Sequence, residues 1–306
     1  MTSVIPAPTA PDAVVDVRDK PKTPVSAPAP RSVSARRIAG KVFLALGFVL
    51  ALFLVFEFAV TNLMYDRSQA LLQKDLQALV ASREATSLDW VPQQGQPVGV
   101  LTIPKIGLSS VIVQGSSASM TEQGPGHLRG TPMPGRLGNS VILGRRATYG
   151  APFENLDQLL PGDPLTVATG AGEFTYLVQN VSIVRPGDPD VVGPSYDSRL
   201  TLITSSPKYL ATGRYVVTAV LKGLPAPQPT MAAVAVAPTE LGIQGEPSAI
   251  GGVLLWAELA VIAVITGVWL RRRVSRRVAW LLTAPLALAL IWAAFTAADR
   301  LLPSTV

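Results

Sequence analysis

The chain contains no cysteine and only one histidine, His127, in 306 residues. The first absence excludes disulfides, a thiol nucleophile and thiolate metal ligation. With a single imidazole available, no ligand set for zinc remains either. Asp188-Pro189-Asp190 pairs two carboxylates on a turn, the ordinary composition of a solvated turn rather than of a calcium site. No metal and no cofactor are expected. Charge is also scarce, at 15% of residues, and basic residues outnumber acidic ones by 26 to 20. That excess does not describe a nucleic-acid surface, because residues 66–222 hold 13 Lys/Arg against 12 Asp/Glu and the surplus sits in the flanks. No repeat with a period of 20–50 residues is present.

What is abundant is apolar sequence, 48% of the chain, concentrated in three runs. Val42 to about Met64 is apolar apart from Glu57 and a polar end. Ala249–Leu270 is interrupted only by Glu258, and 278–297 carries no charge. Each is about 20 residues long, enough to cross the roughly 30 Å of bilayer hydrocarbon as a helix. The first is expected to be a retained span over 36–65, since no small-x-small cleavage site precedes Tyr65-Asp66. Arg31, Arg36, Arg37 and Lys41 precede it, and Arg271, Arg272, Arg273, Arg276 and Arg277 fill the 271–277 connection between the other two. By the positive-inside rule both clusters are cytoplasmic, which puts 66–248 and the tail 298–306 outside a multi-pass plasma-membrane protein. Glu258 lies some 10–13 Å inside its span, where a carboxylate is costly. It either hydrogen-bonds within this chain or contacts a second membrane protein. Glu57, nearer the outer end, raises the same question and can also snorkel.

Between the spans the texture changes. Residues 1–35 are rich in Pro, Ala and Ser without apolar periodicity and read as a disordered cytoplasmic tail. In the 66–94 segment, Leu72, Leu76 and Leu79 fall at helical spacing, an amphipathic juxtamembrane helix. From 95 to 223, short β-branched runs alternate with Gly and Pro: 98–103, 110–113, 140–144, 164–168, 174–184, 200–204 and 215–221. Thr169-Gly170-Ala171-Gly172 is a hairpin turn between two of them. This predicts a mainly β fold, a closed barrel outside the membrane plus three transmembrane α-helices. Residues 224–248, with prolines at 225, 227, 229, 238 and 247, read as a semi-extended tether.

Two segments carry a family resemblance. Thr201-Leu202-Ile203-Thr204-Ser205 resembles the TLxTC signature of sortases, cysteine transpeptidases of Gram-positive envelopes, with serine at the cysteine position. Gly144-Arg145-Arg146-Ala147-Thr148-Tyr149-Gly150-Ala151-Pro152-Phe153 is similar to the family's G-H-R-x-T-Y-G-A-P-F segment, with Arg145 at the histidine position. Gly213-Arg214-Tyr215-Val216-Val217 matches the strand carrying the family's arginine. The motifs are closest to class E sortases of actinobacterial type, and the resemblance covers about residues 95–223.

The resemblance implies a sortase barrel, and chemistry in which cysteine attacks a threonyl carbonyl of an LPxTG-like sorting signal. Histidine serves as acid and base there, and arginine steadies the oxyanion. It implies in turn that this chain is a pseudoenzyme. Serine lacks an accessible anion and needs a neighbouring base, and a guanidinium with a pKa above about 12 cannot act as one. Losing one member of such a unit costs on the order of 10⁶ in rate. The implied role is a binding or scaffolding subunit, with a peptide or envelope ligand in a cleft lined by Arg145, Arg146, Arg214 and Ser205 and a membrane-protein partner at Glu258 and Glu57. Alternatively Arg145 pairs with an acid such as Glu154 or Asp157. The rival is a serine-type hydrolase or transpeptidase using Ser205, with His127 or a substrate group as base, or with Ser205 paired to Arg214 or Lys208.

Overall fold

A computed structural model describes residues 35–87, 90–209, 211–227, 238–242 and 245–306. The tail expected over 1–35 falls outside them apart from Ala35, as does the stretch 228–237 of the tether. The chain divides into two compact units, 1–47 and 48–306. In the first, residues 35–47 are helical.

The second unit is built on eight strands: β1 (Pro97–Ile103), β2 (Leu108–Gln114), β3 (Gly126–His127), β4 (Gly138–Leu143), β5 (Pro164–Thr169), β6 (Gly172–Val184), β7 (Ser198–Ser206) and β8 (Gly213–Leu221). They close in the order β1-β2-β3-β4-β7-β8-β6-β5. The expected barrel is therefore present. Closure pairs every edge, so no strand is left as a template for other chains. The β5–β6 turn falls where Thr169-Gly170-Ala171-Gly172 predicts it, with Thr169 opposite Gly172. The two-residue bridge β3 has no β-branched run to announce it and is absent from the sequence expectation.

Period-two alternation decides what each strand offers to which side. Leu200 and Leu202 of β7 point into the main core with Ile142, Val217, Ala219, Leu101 and Phe153. Ile203, one residue on, joins Val141, Leu143, Leu128 and Val216 in a second cluster on the outer face. Ser205 shares the parity of Ile203, and its register partner Arg214 shares that of Val216. The same alternation that fills the barrel therefore delivers Ser205 and Arg214 to one outer groove.

Helix α1 (Ala35–Val55) continues through a π-helical turn, Phe56–Val60, into α2 (Thr61–Ala81). Residues 47–81 form a helix long and apolar enough to span a membrane, as do, beyond the short α3 (Ala118–Thr121), α4 (Ala249–Leu270) and 277–299 of α5 (Arg276–Asp299). At 35 residues the first is about 52 Å long, more than a bilayer needs. Its far half lies on the barrel: Leu72 and Leu76 pack with Val111 and Val113 of β2. The α4–α5 hairpin is drawn close where Gly267 faces Thr283, leaving room for no larger residue without displacement.

One glutamine fixes α2 to the barrel. Gln69 Nε2 donates to Val111 O (3.1 Å) and Gln123 O (2.7 Å), while its Oε1 accepts from Val111 N (2.7 Å) and Ser110 Oγ (3.0 Å). Gln69→Ala leaves a backbone N–H and two carbonyls short of partners. A loss of about 1–3 kcal/mol in the barrel's unfolding free energy is expected, with faster amide exchange concentrated at residues 110–112 and 123 on comparison with the wild type.

Candidate functional site

The groove is framed by the loop after β4, the end of β7, the start of β8 and two segments that arrive from the membrane helices. Arg145 leaves the end of β4 and is fully buried. It makes a two-pronged pair with Asp299, the last residue of α5: Nη1 to Oδ1 and Nη2 to Oδ2, both 3.0 Å. Nη1 also donates to Thr148 Oγ1 (3.0 Å) and Nη2 to Ala118 O (3.3 Å), and the guanidinium lies 4.5 Å from the Tyr149 ring centre. Burial alone would push this arginine's pKa down, but the carboxylate of Asp299 more than offsets that and holds it above the ordinary value. Arg145 is a permanent cation. The acids that sequence spacing offered it, Glu154 and Asp157, are not its partners.

Arg146 takes Asp157 instead, Nη2 to Oδ2 at 2.7 Å, and donates from Nη1 to Ser205 O at 2.8 Å. Glu154 pairs with Lys208. Among the described residues, Arg214 is the one arginine of the three without an acid: it is 5% exposed, and its one hydrogen bond to them goes from Nη1 to Thr305 Oγ1 at 3.4 Å. Desolvation lowers its pKa to about 10, which still leaves it charged at neutral pH. The three arginines thus do not pool their charge in one open cleft. Two are neutralised by this chain's own carboxylates, and the third faces a polypeptide segment.

Ser205 is fully buried and its Oγ donates to Lys208 O at 3.0 Å. His127 cannot reach it. In the sheet register His127 sits opposite Ile142, and Ile142 opposite Leu202, three residues short of Ser205. Two strand spacings and three residue rises put the Cα atoms roughly 14 Å apart. Both ring nitrogens are engaged elsewhere, Nδ1 with Gln114 Oε1 (2.8 Å) and Nε2 with Pro132 O (3.0 Å). Burial depresses the His127 pKa to about 4, as expected of a neutral imidazole bridging strands. Lys208 is also no base: its ammonium is bound to Glu154, which raises its pKa.

The segment that meets Arg214 is the chain's own continuation past α5. Ser304 and Thr305 are fully buried and Val306 is 8% exposed. Arg146 N donates to Thr305 O (3.2 Å) and Val306 O (3.1 Å), and Ala147 N to Val306 O (3.1 Å). The linker closes over them. Rather than running as a plain tether, it forms a short 3₁₀ turn, Pro238–Leu241, whose Glu240 is buried against Arg129 (Nε to Oε1, 2.6 Å) while its carbonyl accepts from Ser116 Oγ (2.6 Å). Gly242 follows at φ +68°. A Cβ there would fall 2.8 Å from Arg214 Nη1 and 2.9 Å from Thr305 Cγ2, so the position needs glycine both for its conformation and for the approach. Beside this plug an apolar cavity of about 160 Å³ remains, lined by Val184, Val191, Val192, Ile203 and Leu241 with Arg214 at its edge.

Residues 101–222 match the family model of the sortase domain. That domain belongs to the sortase family. Over 130 residues it is 31% identical to Sortase D of Bacillus subtilis, covering 41% of this chain and 64% of that protein. Over 202 residues it is 28% identical to Sortase SrtE1 of Streptomyces coelicolor, covering 61% and 57%. It is class E-like in these matches, and it spans somewhat less than two thirds of either curated relative. A Sortase D5 transpeptidase of Clostridium perfringens superposes with a TM-score of 0.46 at 26% identity, covering 52% of this chain and 99% of that one.

The sortase domain accounts for Arg145, Arg146, Ser205 and Arg214 sharing one groove. It does not account for Asp299 or for 301–306, and sequence reasoning missed both. Asp299 had no signal beyond its place at the end of a span. The tail did have one: Leu302-Pro303-Ser304-Thr305 repeats the order of the LPxTG-like peptides that the resemblance implies. Glu57, on the π turn, is 4% exposed and turned inward beside Asp299 and Arg145, so it neither snorkels nor faces outward. Glu258 is exposed and makes no hydrogen bond or ion pair among the described residues. No cluster of three or more His, Cys, Asp or Glu suited to a metal occurs among them either.

Removing one partner of a fully buried pair leaves an uncompensated charge. Asp299→Ala is therefore expected to cost about 3–5 kcal/mol of unfolding free energy, with Asp299→Ala/Arg145→Met recovering much of it in denaturant titrations. His127 adds a pH dependence. Its folded pKa near 4 lies below the ordinary 6.5, so the unfolded chain binds more protons between those values. Its contribution is whole above about pH 6.5 and falls by about 3 kcal/mol as pH drops to 4. Denaturant midpoints across pH 4–7 should flatten in His127→Gln relative to the wild type.

Proposed function

We propose that this sortase-family protein is a membrane-bound binding or scaffolding subunit that carries out no transpeptidation. One observation carries the reading: the side chain at the position the resemblance gives to histidine is a guanidinium locked to Asp299. Among the described residues, the acceptor beside the Ser205 hydroxyl is a backbone carbonyl, that of Lys208. A serine nucleophile needs its proton removed as it attacks, and among the described residues no basic side chain is placed to do this. Membranes containing the protein are expected to neither cleave nor transpeptidate an LPxTG-like peptide, and Ser205→Ala is expected to leave cellular function intact. Wild-type turnover that disappears in Ser205→Ala would overturn the reading.

The orientation is part of the same proposal: barrel outside, 271–277 inside, an actinobacterial-type envelope protein. Supporting it, the segment after α5 is seated in the barrel, so both lie on one side of the bilayer while the arginine-rich turn between α4 and α5 lies at the hairpin's other end. In this cysteine-free chain, Ser275→Cys should resist impermeant maleimide in intact cells and react after permeabilisation.

For the partner, the supporting feature is Glu258, exposed in mid-span and without a hydrogen bond or ion pair among the described residues. A carboxylate facing lipid is costly, and contact with a polar group on another membrane protein relieves that cost. Glu258→Leu is expected to abolish co-purification of such a partner from detergent extracts while leaving the barrel's thermal unfolding unchanged.

A further inference from the structure

The residues Pro303–Val306 meet the groove through hydrogen bonds to two carbonyls and a hydroxyl. Arg146 N and Ala147 N bind the carbonyls of Thr305 and Val306, and Val306 N closes a turn on Pro303 O at 3.0 Å. Arg214 reaches the threonine hydroxyl, which in turn donates to Gly242 O (3.4 Å). The seat is imperfect. The contacts to the Thr305 hydroxyl are long, Thr148 Oγ1 lies 3.5 Å from Val306 O, and the buried Ser304 Oγ has no partner among the described residues. An orphaned buried hydroxyl works against the docked state.

A loosely satisfied segment stays seated when it is tethered, because a short connection raises its effective concentration to the millimolar range. The tether here is very short and both of its ends are fixed. Asp299 is bound to Arg145, and Arg300 Nε donates to Glu122 Oε1 at 3.0 Å. Arg300 O accepts from Glu246 N at 2.7 Å, and Glu246 Oε1 accepts from Ser119 N and Oγ. Only a few residues separate this anchor from the groove.

We propose that Pro303–Val306 is a built-in, displaceable ligand of the groove, seated in cis, so that a peptide in trans reaches Arg214 only after evicting it. The groove's ligand class is then a peptide that turns where it docks and presents a small hydroxylated residue to Arg214 followed by an aliphatic one. The proposal rests on the reading of the barrel as a binding module, but it fails separately, since its test measures occupancy and not turnover.

The probe is the fluorescently labelled peptide Leu-Leu-Pro-Ser-Thr-Val, followed by anisotropy against the full chain in detergent and against the same chain lacking 303–306. The shortened chain is expected to bind at least about tenfold more tightly than the wild type. Equal binding by both, or no binding by a shortened chain that still unfolds cooperatively, overturns the proposal. If the shortened chain does not fold, Ser304→Cys in the otherwise cysteine-free full chain decides. It should react with maleimide at least about tenfold more slowly than the exposed Tyr196→Cys, and unlabelled peptide at about 5 mM should speed it several-fold while a scrambled peptide does not. Reaction as fast as Tyr196→Cys, or slow reaction indifferent to peptide, overturns the proposal.

Discussion

The pair between Arg145 and Asp299 joins the end of a membrane helix to the rim of a β-barrel, and most of what surrounds it follows from that link. A guanidinium with no solvent exposure needs an anion of matching shape, since burying a lone charge costs far more than folding can supply. The carboxylate comes from the last turn of α5, more than 150 residues away in sequence. Once it is in place, the rest of α5 is directed back along the first helix. Phe56 meets Trp292 and Phe295 at ring-centre distances of 5.4 and 5.7 Å, and Phe53 meets Phe295 at 5.2 Å. The π turn at Phe56–Val60 brings Glu57 inward beside the same pair, and local widening of the helix is a familiar way to redirect one side chain.

Charge in this region is organised in layers. Arg145 is matched by Asp299, and Arg300 by Glu122, whose burial raises its pKa against the pull of two nearby arginines. Arg146 and Lys208 are matched by Asp157 and Glu154 on the barrel surface. Arg214 stands apart, desolvated and without a carboxylate. A groove built this way does not concentrate positive potential over a broad surface. It offers one directed donor and a row of backbone N–H groups, which suits recognition of a peptide's carbonyls and a hydroxyl better than recognition of a free anion.

The barrel was legible because strands report themselves locally. Alternation and Gly/Pro punctuation marked seven of the eight strands, and the eighth, Gly126–His127, is too short to show a period. The convergence of Ser205 with Arg214 was legible too, since antiparallel pairing of two recognisable segments leaves little freedom. What could not be read was any contact between a strand loop and a helix terminus. Nothing in the spacing of Arg145 singles out Asp299 over Glu154 or Asp157, because proximity in sequence says little about which acid is brought to a buried cation. Glu57 and Glu258 looked alike as carboxylates in apolar runs. Only packing separates them, one facing the barrel junction and the other facing away from every described residue.

Histidine and arginine at the end of β4 make opposite demands on their surroundings. A histidine that shuttles protons must stay partly solvated and must be free to change charge, so a fixed carboxylate against it, with water excluded, would hold it in one state. An arginine in the same place never changes charge, and therefore tolerates, indeed requires, permanent sealing by an anion. Sealing here is done by the residue that begins the connection into the groove. With Asp299 and Arg300 each held by an opposite charge, the chain beyond them starts from a fixed point and direction, and docking Pro303–Val306 costs little further conformational entropy. Arg145, through Asp299, thus also anchors the segment occupying the groove.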